Sequence, residues 1–409
     1  MRGDTVVEEP GAETLAAPGA RVAPPRASHR TASLTVRPAA TALRALGAVL
    51  AVASIASAWG GMYSWHYFVT GGQALLSGTA GGGLHTYASH PELQMGPLTL
   101  LVAAPLSQAG FLPSALLGAL LMTGVGLLVL LAAARLASQV TGRSVGARAV
   151  GWAGAAFLPV WQVLAVHYGH LDDALALGAL PLGLLALAHR RPVVAALLLA
   201  AATDAKPWAA PVAVVLLVLA SPARGRAVTA YVLAVVLPWV PFVLADRRTL
   251  DVGRFTIDVA DDSVLRLLGV HAAATPPWDR PAQLALGALL AWVAVRRGRL
   301  LAVPLVVVAA RIVLDPGTYP YYAAGLAVGA MLVDLATRRV PVLTLVTAGW
   351  VALDLVVSPW APALGAVLRL LVPAVLTAAA LLGPRARRPA PGRLWAPSRE
   401  VSRPAAAAG

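Results

Sequence analysis

A succession of long apolar runs, broken by two alternating kinds of gap, constrains this chain more than any other feature. Nearly every arginine cluster lies at one kind of gap, and most aspartates, histidines and Tyr/Trp motifs lie at the other. With 58% hydrophobic and 12% charged residues, the chain is far more apolar than soluble domains, about a quarter of whose residues are charged. Lipid leaves only helices and closed barrels as spanning forms, because backbone polar groups must be satisfied internally. Long Leu/Ala/Val runs without two-residue alternation select helices. The expected fold is all-α, a polytopic transmembrane helical bundle of about 10–13 membrane helices or half-helices, each needing roughly 20 apolar residues or fewer when packed on neighbours.

The net charge of +14 is spread over separate short loops rather than one basic face. That pattern fits cytoplasmic loops under the positive-inside rule, and no nucleic-acid partner is expected. The absence of cysteine excludes disulfides and thiolate chemistry. Lys206 is the one lysine of the chain, with arginine supplying the rest of the positive charge.

Charge placement predicts a topology. Residues 1–40 read as a disordered cytoplasmic tail, rich in Ala, Pro, Arg and Thr, without the apolar segment of a removable signal peptide. The membrane domain covers 41–383, and residues 384–409 form a second basic cytoplasmic tail. A first helix at 41–59 leads to an external segment, 60–97, and the run 97–108 dips into the membrane or lies along it. Runs 112–134 and 149–166 follow, the second leading to an external His167-to-Asp173 gap, from which the chain returns to Arg190 and Arg191. The stretch 192–221 reads as a hairpin of two short helices interrupted by Thr203 to Trp208, which sets Lys206 deep in the membrane or near its far side. A run at 227–245 exits to the loop 246–280, and 281–295 returns to Arg296 and Arg297. Runs 300–314, 321–337, 341–357 and 361–383 complete the bundle. Arg247, Arg248, Arg254, Arg266 and Arg280 depart from the charge rule, and an anionic ligand is one use for them. Multi-pass insertion in a cell membrane follows, with both termini cytoplasmic and the polar gaps on the outer face.

Four constellations carry the chemistry. The first external segment holds His66, His85, His90 and Glu92 among aromatics that also suit an interfacial belt. Histidine titrates near neutrality and a carboxylate in an apolar site moves towards it, so His66 and Glu92 are each candidates for a general base. The second is His167-Tyr168-Gly169-His170-Leu171-Asp172-Asp173. Its aspartates suit the start of a helix, while His170 with Asp172 and Asp173 also has donors for a divalent metal, although the spacing is not a closed zinc pattern. The third is Asp204 with Lys206, either an ion pair or a phosphate anchor, in a setting where a central charge costs about 2.5–3.5 kcal/mol. The fourth joins Arg311 to the loop ending in Tyr319, Tyr321 and Tyr322, which line a polar cleft or anchor the interface.

From about residue 41 to 383, the order of these motifs resembles the GT-C superfamily of integral-membrane glycosyltransferases, in particular the polyprenyl-phosphate-mannose-dependent mannosyltransferases of glycosyltransferase family 87 from actinobacteria. Tyr87 to Pro97 with the run Leu98 to Pro105 is similar to that family's Tyr/Pro-rich segment entering a helix. Gly169 to Ala176 resembles a polar-to-helix junction, and Ala202 to Trp208 resembles a Thr-Lys-Pro hairpin, of related membrane proteins. The family places a catalytic aspartate just after the first helix. Here His66 stands near that position, and Glu92 is the one acid of the segment 60–97.

The resemblance implies a first external loop of GT-C type and transfer of a sugar, mannose above all, from a polyprenyl phosphate donor to a glycan or glycolipid acceptor of the cell envelope. It implies Glu92 or His66 as base, with Lys206 and Arg311 meeting the leaving phosphate. His90, His170, Asp172, Asp173, Tyr319 and Tyr322 would bind substrate. No cofactor is required by this chemistry, although the His/Asp cluster leaves a divalent metal open, and membrane lipids surround the whole. Two other classes are compatible with the residues: a transporter or flippase of lipid-linked or anionic solutes, since interrupted helices also serve transport, and a non-catalytic envelope-assembly membrane protein.

Overall fold

The computed structural model describes residues 60–384. The tails expected at 1–40 and 384–409 and the first helix expected at 41–59 lie outside them, apart from residue 384 itself. The described residues are helical, with no strand among them. Among the described residues, four helices are long and apolar enough to cross a membrane: Phe111–Thr141, Ala147–Tyr168, Leu171–Ala188 and Pro362–Leu382.

The principal helices are α1 (Trp65–Leu76), α2 (Pro97–Ser107), α3 (Phe111–Thr141), α4 (Ala147–Gln162), α5 (Leu171–Ala188), α6 (Pro192–Ala205), α7 (Ser221–Val236), α8 (Asp279–Arg296), α9 (Val303–Leu314), α10 (Ala323–Thr337), α11 (Val342–Val357) and α12 (Pro362–Leu382). Proline punctuates them. It opens α2, α6 and α12 at the first turn, where its missing N–H costs nothing and its fixed φ suits the helix. Pro238 divides the run expected at 227–245 into α7 and the short helix Val240–Ala245, because a proline inside a helix removes a hydrogen bond and clashes with the preceding turn.

The expected break at Lys206 is present, and its cause is local. Lys206 is extended, with φ −148° and ψ 113°, the region into which a following proline forces its neighbour. Pro207–Val218 then continues as a 3-10 helix, so the second arm of the hairpin is not the α-helix that was expected. Over 12 residues, a 3-10 rise of about 2.0 Å per residue makes this arm roughly 24 Å long. α6 packs along α5 and α7, and the 3-10 arm packs on α8.

One core runs through the bundle, taking in Trp65 of α1 and Phe157 and Trp161 of α4, and α5, α9 and α10 are buried most completely in it, with Leu177, Val306, Leu326 and Met331 at 1% exposure or less. Small residues line these contacts: Ala174, Ala176, Ala324 and Ala327 are fully buried, allowing backbones to approach closely where there is no water to drive association.

Candidate functional site

The start of α5 is shaped by an irregularity before it. Val163–Tyr168 forms a π-helical turn, a form that leaves carbonyls out of register and recurs at functional sites. Three of those carbonyls are taken by the segment ahead of α1: the Met62, Tyr63 and Ser64 N–H groups donate to Val166, His167 and Tyr168 at 2.9, 3.3 and 2.8 Å. Gly169 ends the turn at φ 67°, a left-handed conformation that favours glycine. The chain then enters α5 with Asp172 and Asp173 in its first turn, both buried.

Neither aspartate is explained by capping alone. The Lys206 ammonium pairs with Asp172. The Asp173 Oδ1 accepts from the Trp208 indole N–H at 2.7 Å and from Arg311 at 2.8 Å. His170 Nδ1 lies 3.3 Å from Asp172 and 3.7 Å from Asp173, and its ring stacks on Tyr321 at 3.8 Å. Arg311 also faces Asp315 at 3.6 Å and lies over the rings of Tyr322 and Trp208, 4.0 and 5.2 Å from their centroids. Buried charges are tolerated only when paired and hydrogen-bonded, and each charge of this cluster has a partner of opposite sign; the fully buried Asp173 Oδ2 has no hydrogen bond.

An Asp204–Lys206 pair was one expectation, and the structure corrects it. Lys206 reaches back to Asp172, whereas Asp204 Oδ2 accepts from the Leu98 N–H at 2.7 Å. Asp204 therefore caps α2 from another helix, supplying an acceptor to the free N–H groups of a helix start. Asp204 lies in the last turn of α6, whereas Lys206 is extended beyond the helix end, so the two side chains leave the backbone in different local geometries and take different partners.

A cavity of about 550 Å³ opens in front of this cluster, within the range of small-molecule sites. It is lined by Glu92, His66, His170, Asp172, Lys206, Arg311, Tyr319 and Tyr322. His90 and Asp173 stand one contact behind: His90 Nδ1 lies 3.1 Å from Glu92, and Asp173 holds Arg311 and Trp208. Sequence reasoning thus named residues that the fold brings to one place. His66 is exposed, and its Nδ1 lies 2.9 Å from the Tyr63 carbonyl oxygen. Since a carbonyl only accepts, that contact puts a proton on Nδ1 and leaves Nε2 of neutral His66 free to take one.

Other lining residues were not singled out: Gln94, Trp239, Asp279 and Gln283; Trp208 and Asp315, also in the lining, were noted as ends of the segments 203–208 and 315–322 but given no role. Arg280, noted as a departure from the charge rule, is there as well, donating to Gln94 at 3.0 Å and to the Phe255 carbonyl at 2.7 Å. Asp279 accepts from Gln283 at 2.7 Å and keeps its other oxygen unpartnered. It precedes the apolar stretch 281–295. Burial, and then the charge of Asp315, push its carboxyl up to about 7, against the pull of Gln283 and Arg280. Its place at the end of a loop gave no periodic signal to find it by.

His170, Asp172 and Asp173 offer ligand atoms within 4.8 Å of one another. The carboxylates are already engaged by Lys206 and Arg311, so a divalent cation would have to sit against two positive charges. The arrangement is better suited to an anion that shares Lys206 with Asp172. No protein-family model matches this chain, and no curated protein or solved structure is significantly similar to it.

Proposed function

We propose that this chain is a multi-pass membrane glycosyltransferase of GT-C type, transferring a sugar, mannose above all, from a polyprenyl phosphate to a glycan or glycolipid acceptor of the cell envelope. The cavity would face the outer side of the membrane. One observation carries the reading: Lys206 and Arg311, which suit a phosphate, share a single cavity with Glu92 and His66, which suit proton removal. Two helices of membrane length reach that cavity, through Tyr168 and Asp172, and support a lipid-borne donor, and its aromatic walls support a sugar ring.

In this mechanism the donor phosphate lies against Lys206 and Arg311. The acceptor hydroxyl attacks the anomeric carbon as its proton passes to Glu92 or to Nε2 of His66. The bond from that carbon to the phosphate oxygen breaks, its electron pair staying on the phosphate, and the two cations meet the added charge. Fixed charges in a site screened from water stabilise such a transition state more than they would in bulk solvent. His90 beside Glu92 orients the carboxylate.

The test is transfer from farnesyl phosphomannose in proteoliposomes, comparing wild type with Glu92→Gln and His66→Ala. Loss of turnover in one variant, with farnesyl phosphate still bound, identifies the base. Turnover undiminished in both would remove these residues from the role, and no turnover by wild type with mannosyl or arabinosyl donors would overturn the reading in favour of a transporter or an assembly partner.

A further inference from the structure

Tyr319 ends a stack of rings. His170 lies on Tyr321 with centroids 3.8 Å apart and planes 22° from parallel, and Tyr321 lies on Tyr319 at 5.5 Å and 22°. Tyr321 is 5% exposed, whereas Tyr319 is 43% exposed and lines the cavity. The stack therefore has one buried end, braced on the Asp172–Asp173 cluster, and one open end.

The loop that carries Tyr319 is built to hold this ring still. Asp315 accepts from the Gly317 N–H at 2.9 Å, and the Pro316 carbonyl accepts from the Ala260 N–H at 2.9 Å. Thr318 donates its hydroxyl to Asp262 at 2.7 Å. Arg369, in the middle of α12 and 6% exposed, donates to the Thr318 carbonyl at 2.7 Å while pairing with Asp354 and Asp262 at 2.7 and 3.1 Å. A buried guanidinium is expensive unless it has such work, and the transfer mechanism gives it none. Gly317 is required as well, since a Cβ there would come within 2.7 Å of the Tyr319 ring.

We propose that the open face of Tyr319 is a stacking platform for a pyranose ring, with Arg369 as the positioning residue that fixes the platform. The inference rests on the glycosyl-transfer reading and names the surface on which the sugar sits. A pyranose has one face of C–H groups and a rim of hydroxyls. An aromatic plane covers the first, and charged groups beside the ring meet the second. Asp315, Arg311 and Lys206 line the same cavity. A prenyl chain would exclude water from these groups and offer them no hydrogen bond. Acceptor and donor both present this ring chemistry, and the probes tell the two sources apart.

Calorimetry on the full-length protein in nanodiscs tests this with mannobiose, farnesyl phosphomannose and farnesyl phosphate as probes. Tyr319→Leu should weaken a sugar probe by about tenfold, the size of one aromatic contact, while Tyr319→Phe and Tyr319→Trp keep it. Loss with mannobiose assigns the platform to the acceptor. Loss with farnesyl phosphomannose but not farnesyl phosphate assigns it to the donor. Arg369→Lys, which keeps the charge but loses the planar fork, should weaken the same probe and be restored by none of the others. Equal sugar binding in Tyr319→Leu and wild type, equal loss in Tyr319→Phe, or matching loss of farnesyl phosphate would each overturn the proposal. Sugar binding that depends on Tyr319 in a protein with no transfer activity would leave the platform standing and bring down the transferase reading alone.

Discussion

Arg311 of α9 donates to the carboxylate of Asp173 in α5 at 2.8 Å, and both side chains are buried. The pair joins the helix that begins the polar cluster to the helix that ends at the Tyr319 loop. It fixes one wall of the cavity before any ligand arrives.

Breaking that pair should be costly. Arg311→Met leaves the Asp173 carboxylate buried with Trp208 and His170 as its remaining partners, and a loss of roughly 3–5 kcal/mol of stability is expected when one member of a buried pair is removed. Arg311→Met combined with Asp173→Leu should recover part of the loss, because the charge of Asp173 is then gone while that of Asp315, the other partner of Arg311, remains. Denaturant unfolding in detergent measures both, and a double variant no more stable than Arg311→Met would contradict the assignment.

Lys206 has a sharper signature. Asp172 holds it in the absence of anion, so carboxylate and phosphate compete for one ammonium. Lys206→Ala should weaken farnesyl phosphate by about tenfold or more, the range of a charge-assisted contact. Asp172→Asn should instead tighten it. Tighter binding in the second variant is the informative result, since a purely structural lysine would show none.

Asp204 acts on stability rather than on ligand. Asp204→Ala removes the acceptor for the Leu98 N–H, and a lost cap costs about 1 kcal/mol. Protease susceptibility between α1 and α2 should rise, with farnesyl phosphate affinity unchanged. Affinity falling as far as in Lys206→Ala would place Asp204 in the site instead.

The pH dependence of stability should report Asp279. Its folded-state pKa, about 7, stands above the ordinary carboxylate value of 3.8. The folded protein therefore holds this proton more tightly than the unfolded chain does. Stability contributed by the protonated form is present below the unfolded pKa and is lost as pH rises from about 4 through 7. Wild type should lose melting temperature across that window relative to Asp279→Asn, with Asp315 and Arg280 as the charged neighbours that set the midpoint. Parallel pH profiles for the two proteins would rule the carboxyl out.

How much of this was legible depended on whether the signal was local. The helices from 281 onward follow apolar runs interrupted by arginine or proline, and the structure reproduces them within a few residues. The break at Lys206-Pro207 was readable because proline acts on its own neighbour. The cluster at His170 to Asp173 was readable because helix capping accounts for an aspartate taken singly but not for two histidines beside two adjacent aspartates. What could not be read was pairing at a distance. Lys206 takes Asp172 rather than Asp204, and Arg280 takes Gln94 across 186 positions. Arg369 binds Thr318 from the middle of an apolar helix. The π turn at 163–168 and the 3-10 arm at 207–218 depend on packing against other segments, and they leave no periodicity of their own.

The anomeric outcome of transfer tests the central claim most directly. Direct displacement of a lipid phosphate by an acceptor hydroxyl, with no sugar bound to the enzyme between, inverts the anomeric carbon. Wild-type protein in proteoliposomes, given β-linked farnesyl phosphomannose and mannobiose, should release farnesyl phosphate and form an α-mannosidic bond, read by proton NMR of the purified product. A β-linked product, or donor recovered unchanged from a protein that binds both compounds, would contradict the account.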